Sequence, residues 1–239
     1  MIKRVYNLLA SLDLAIWLFC GIMVLLAVGS FACDAGSGIN DMALFAWLTR
    51  VPVWTSWWLW VCLGILGLLV LNTIICSMDS LRSKWLRGSF LMRIAPQLMH
   101  IGFLFIVLAH LLSAYGGFKT GGMLTEGGKF TYPDGSKIEI TRLEMRVGPM
   151  GIPLDYSGTL RHLTGSGELH TVFSPNHPYF YKGFGLYLKQ VQSFPIKTAI
   201  IEIHREPGAG LALVGAVFFT VANILLIWLR RGKKAYITE

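Results

Sequence analysis

Of 239 residues, 54% are hydrophobic and 14% charged, and the mean hydropathy is +0.57; this balance excludes an ordinary soluble globular chain and points to the lipid bilayer. The formal net charge of +8 raises nucleic acid as a partner, but the basic residues lie beside apolar runs, where they set membrane topology, so nucleic acid is not expected.

Lys3 and Arg4 precede the first apolar run, Leu14 to Ala32. Runs of about 18 residues or more can cross the hydrocarbon core as helices. Ser30-Phe31-Ala32 has the small-x-small form of a cleavage site, but the run exceeds the roughly 7–15 residues of a signal h-region, and a retained anchor is expected. Cys33 as a lipoprotein acceptor fits poorly with Ser30 and Phe31 before it. The next loop carries Arg50 alone, and Trp47, Trp54, Trp57, Trp58 and Trp60 read as an interfacial belt where the second run, Trp54 to Cys76, begins. Arg82, Lys84, Arg87 and Arg93 fill the loop before the third run, Gln97 to Ala114, while Arg230, Arg231, Lys233 and Lys234 follow the fourth, Ala209 to Leu229. By the positive-inside rule both termini and the second loop are cytoplasmic, and the segment between the third and fourth runs is outside.

Inside lipid, helices associate through small residues and interhelical hydrogen bonds. Gly64, Gly67, Gly208, Gly210 and Gly215 suit such contacts, and Asn72 and Asn223 are each expected to face another helix. Cys20, Cys33, Cys62 and Cys76 lie in or beside the spans, form no C-x-x-C pair and read as packing residues.

Histidine is more informative, because an ionisable group at membrane depth is costly and marks a candidate functional site. The third run holds two, His100 and His110. Ten helical residues separate them by about 15 Å along the axis and by about 1000° of rotation, so they point roughly 80° apart. They cannot clamp one haem between them, nor hold two stacked haems from one face. The other spans have no histidine, so a second imidazole at that depth must come from another polypeptide. The alternative is that both rings simply hydrogen-bond to neighbouring helices.

From about Phe118 to Glu206 the pattern changes to short alternating runs broken by Gly, Pro, Asn and Asp, which reads as β structure. Ser136 to Val147, Leu169 to Phe173, Gly185 to Val191 and Thr198 to Arg205 are strand candidates, and Tyr132-Pro133-Asp134-Gly135 is a turn signal. Roughly five to seven antiparallel strands in one small sheet or sandwich are expected. The segment has no cysteine, so it is neither disulfide-stapled nor a thioredoxin-like reductase. Its histidines, His162, His170, His177 and His204, are too scattered to be read as a zinc site, and its carboxylates read as solvated. The expected fold is an integral membrane α-helical protein with four transmembrane helices and an extracytoplasmic β-rich domain between helices 3 and 4. Its parts are 1–116 (three-helix membrane region), 117–206 (β domain) and 207–239 (final helix with basic tail).

Three sets of segments in this order resemble the ResB family of cytochrome c assembly proteins. The first is Leu9-Ala10-Ser11-Leu12-Asp13-Leu14-Ala15 leading into the first span. The second is Asn72 to Cys76 with Leu81-Arg82, then His100-Ile101-Gly102 and Leu124-Thr125-Glu126-Gly127. The third is Asn176-His177-Pro178, Tyr181-Lys182-Gly183 and Tyr187, then Glu206-Pro207-Gly208 before the fourth span. The family's outer domain is usually larger, Glu206 stands where aspartate is common, and His110 replaces a small residue.

The resemblance implies a multi-pass protein of the bacterial cytoplasmic (inner) membrane, working in System II cytochrome c maturation with a ResC or CcsA-type haem-handling membrane protein, apocytochrome c and a thioredoxin-like thiol reductase. It implies haem b as cofactor, with His100 as an intramembrane iron ligand and His110 as a lesser candidate. Synthetase chemistry would then belong to the partner rather than to this chain alone. The competing reading is a haem-binding or structural membrane anchor subunit of a quinone-linked redox complex.

Overall fold

The computed structural model describes residues 2–32, 38–39, 42–84, 90–132, 135–164 and 167–235; Cys33, Arg87 and the Pro133-Asp134 pair lie outside them. The chain divides into two compact units, one of Met1–Ile39, Leu44–Tyr115 and Gly208–Glu239, the other of Asn40–Ala43 and Gly116–Pro207.

The first unit is helical: α1 (Ile2–Leu9), α2 (Leu12–Ala32), α3 (Leu44–Arg50), α4 (Val53–Lys84), α5 (Phe90–Gly116) and α6 (Ala209–Ala235). Four of these, α2, α4, α5 and α6, are long and apolar enough to cross a membrane. The break between α1 and α2 is made by Ser11, whose Oγ accepts the Leu14 N–H at 3.1 Å as a helix N-cap. Asn72 of α4 then fixes that break, donating to the carbonyls of Leu9 at 2.6 Å and Ser11 at 3.1 Å. Its expected role as a polar group facing another helix is therefore met.

Asn223 behaves otherwise. Its amide donates to the Phe219 carbonyl one turn back on its own helix, at 2.7 Å, so it is satisfied without a neighbour. The glycines also divide. Gly64, Gly67 and Gly210 have nothing within 4 Å of a would-be Cβ, whereas the Cβ of Gly102 would lie 2.6 Å from the Phe219 nitrogen and 2.7 Å from the Gly215 oxygen. Close backbone approach is thus concentrated where α5 meets α6, with Gly208 against the Ala109 carbonyl completing it. The tryptophan cluster is not a uniform belt either: Trp54, Trp57 and Trp60 are exposed, but Trp47 and Trp58 are buried, Trp58 against Gly29 of α2.

Among the described residues the second unit holds eight strands, more than the sequence patterning suggests. They are β1 (Phe118–Thr125), β2 (Lys129–Thr131), β3 (Lys137–Val147), β4 (Pro153–Thr164), β5 (Gly167–Phe173), β6 (Tyr179–Tyr181), β7 (Phe184–Gln192) and β8 (Thr198–Arg205). All pair antiparallel, in two four-stranded sheets ordered β1-β8-β7-β6 and β2-β3-β4-β5. One core joins them, with Ile138, Ile140, Leu143, Leu160 and Phe173 from one sheet and Leu186, Leu188, Val191, Ala199, Ile201 and Ile203 from the other. A bulge between Ile140 and Arg142 keeps Leu143 pointing inward, and one between Leu188 and Gln190 does so for Val191.

On the outer face of β3 and β4, Arg161 donates to Glu139 at 2.6 Å. That hydrogen bond holds the Glu139 carboxyl below its ordinary range. A carboxyl lowered on folding adds stability above its unfolded pKa of about 4.3, and this is lost as pH falls through the folded value. Glu139→Gln is accordingly expected to lose part of the acid limb of the domain's stability curve while changing little at pH below both values. Circular dichroism melts across pH 2 to 7 in membrane mimetic, with about one pH unit between points, would show the two curves converging at the acid end.

Candidate functional site

The helical unit encloses a cleft of about 370 Å³. Ile16, Phe19 and Cys20 line it from α2, Leu69, Asn72, Thr73 and Cys76 from α4, Met99, His100 and Phe103 from α5, and Phe219 from α6. The wall is mostly apolar because these helices turn the same kind of residue inward as toward lipid. Its few polar groups are largely engaged. The Asn72 amide holds the α1–α2 break, the Thr73 hydroxyl donates to the Leu69 carbonyl at 2.8 Å, and the Ser11 hydroxyl caps α2.

His100 is the exception. Its Nδ1 is buried and has no hydrogen-bond partner among the described residues. A buried polar atom left unpaired costs about 1–3 kcal/mol, a cost that a bound ligand or a side-chain adjustment would remove. An iron porphyrin asks a protein for an axial donor and an apolar wall against the macrocycle. The cleft offers both, with one imidazole as donor. Among the described residues no group of three or more His, Cys, Asp and Glu side chains gathers to hold a metal ion, and His100 is the imidazole among the residues that line the cleft.

His110 lies on an exposed part of α5 and does not line the cleft. The structure therefore does not bring the two membrane histidines together. The histidines of the β-stranded unit are likewise separate. His162 is fully buried, its Nδ1 2.8 Å from the Tyr179 hydroxyl and its ring edge-on to Tyr181. His204 meets Glu202 at 3.0 Å and stacks near Tyr187, while exposed His170 lies 3.9 Å from Glu168.

Sequence reasoning passed over Gln97. It is buried in α5, paired with the Ser77 hydroxyl of α4, and its Nε2 has no partner among the described residues. The available signal was its i, i+3 spacing to His100, which puts both on one helix face.

No family model matches the chain, and no curated protein matches it. Among solved structures it is similar to a chain titled Cytochrome c Heme Lyase CcmF, with a TM-score of 0.46 and 13% identity, covering 85% of this chain and 34% of that one. The chain thus spans about a third of that protein's length.

Proposed function

We propose that the chain is a membrane subunit of the System II cytochrome c maturation complex, scaffolding a ResC or CcsA-type partner and contributing His100 as one intramembrane ligand to haem b. The observation that carries this reading is the His100 imidazole on the wall of an apolar cleft of the helical unit. The ordered ResB-like segments point the same way, since His100-Ile101-Gly102 falls at this site. In this reading residues 1–116 and 207–239 form the membrane part of an inner-membrane protein, and residues 117–206 stand on the extracytoplasmic side, as the placement of basic residues supports.

Each group then has a defined task. His100 presents a neutral nitrogen lone pair to the cleft. Phe19, Leu69, Phe103 and Phe219 exclude water around it, and Asn72 pins the α1–α2 break that forms part of the wall. Haem, when bound, supplies the porphyrin that becomes attached through thioethers to the C-x-x-C-H cysteines of apocytochrome c, and the partner supplies the attachment chemistry. His110 stays a lesser candidate, suited to a contact with a neighbouring chain because it faces outward.

An anchor of a quinone-linked complex would ordinarily hold its haem between histidines of its own helices, and the membrane histidines here lie on α5 alone. The test is reconstitution. Co-purified with its partner and given haem and an apocytochrome peptide bearing C-x-x-C-H, the complex is expected to form a covalent haem–peptide adduct, visible as a pyridine haemochrome shift, and this chain alone to form none. A partner that makes adduct equally well without this chain would overturn the proposal.

A further inference from the structure

Two buried side-chain atoms on one face of α5 lack partners among the described residues, His100 Nδ1 and Gln97 Nε2. They belong to residues one helical turn apart, and helical side chains lean toward the N-terminus, which carries the His100 ring over the turn that holds Gln97. The other end of the Gln97 amide meets the Ser77 hydroxyl of α4. A hydroxyl both donates and accepts, so Ser77 serves the amide in either sense, and turning the amide end for end exchanges its oxygen and nitrogen without changing its shape.

The two senses differ in what they do to the imidazole. With Nε2–H of Gln97 aimed at His100, the amide donates to Nδ1, the ring proton sits on the His100 Nε2, and that nitrogen has no lone pair for a ligand. In the opposite sense Gln97 donates to Ser77 and its Oε1 accepts Nδ1–H, leaving the lone pair of the His100 Nε2 free. Metal-bound histidines almost always donate their second ring N–H to an acceptor in this way, which fixes both tautomer and ring orientation.

We infer that Gln97 is the positioning residue for His100, accepting its Nδ1–H through Oε1 while its NH2 is held by Ser77, so that a Ser77–Gln97–His100 chain presets the ring for coordination. This rests on the reading of His100 as an iron ligand, but it can fail separately from it. With the amide turned in this sense, both unpartnered atoms would gain a partner, whether or not haem is present.

The experiment uses the full chain in lipid nanodiscs without haem, labelled with 15N-histidine, its His100 signals assigned by their loss in His100→Gln. Nitrogen shifts report which ring nitrogen carries the proton. The wild type is expected to show His100 protonated on Nδ1. Gln97→Leu, which removes the acceptor, is expected to move the proton to Nε2, and Gln97→Glu, which keeps one, to leave it on Nδ1. With partner present, Gln97→Leu is expected to weaken haem binding by roughly tenfold. A wild-type proton on Nε2, or a tautomer indifferent to Gln97→Leu, overturns the inference. The expected tautomers in a complex that takes up no haem would leave the hydrogen-bond chain standing and defeat the haem reading instead.

Discussion

Alanine at His100 is expected to strip the complex of most of its b-type haem. His100 is the imidazole on the cleft wall, and the polar groups of Ser11, Asn72 and Thr73 beside it are spent on the helix backbone. In the proposed complex, iron without His100 would keep only what the partner supplies. Losing one outer-shell hydrogen bond to a metal ligand costs about 10–100-fold in affinity, and losing the ligand itself should cost at least that. His110→Ala is expected to cost less haem than His100→Ala, because that residue is exposed and does not line the cleft. Absorbance of haem per complex after purification compares the two, and equal losses in both variants would break the distinction.

Gly102→Leu is expected to disrupt the helical unit strongly. A Cβ there would meet the backbone nitrogen of Phe219 and the backbone oxygen of Gly215, at 2.6 Å and 2.7 Å. Neither can rotate aside, so α5 and α6 would have to move apart, and Phe219 would leave the cleft wall. Overpacking of this kind typically costs about 1–3 kcal/mol, and more where backbone must shift. Gly64→Leu makes the control, since nothing lies within 4 Å of its Cβ. Thermal unfolding in nanodiscs should show a lowered transition for Gly102→Leu and none of that loss for Gly64→Leu; equal midpoints would mean that the α5–α6 contact does not support the unit.

The helices were legible because a long apolar run in lipid has few alternatives. Their ends were less so: α4 continues to Lys84 and α5 begins at Phe90, since Met78, Leu81 and Arg82 after the one run and Leu91, Met92 and Arg93 before the other are themselves adequate helix formers. Among the strands, β3, β5, β7 and β8 follow visible alternation, whereas β4 carries Pro153, Asp155 and Gly158, turn-forming residues that its two neighbouring strands override. β1 lacks alternation around Gly121-Gly122 and is held by its register with β8. Contacts between helices were the least legible. Composition marks glycines as small but says nothing of their azimuth, so Gly64 and Gly102 look alike in sequence and differ entirely in surroundings. The candidate site followed the same rule. His100 stood out as costly, while Gln97 passed as an ordinary polar residue at the edge of a span until its burial beside His100 was seen.

The most direct measurement is electron–nuclear double resonance of the ferric complex, assembled from this chain labelled with 15N-histidine and an unlabelled partner. A strongly coupled 15N axial nitrogen beside a 14N one, lost in His100→Gln, is the expected result. Axial coupling to 14N alone would mean that the partner provides every iron ligand and that His100 does not bind the haem.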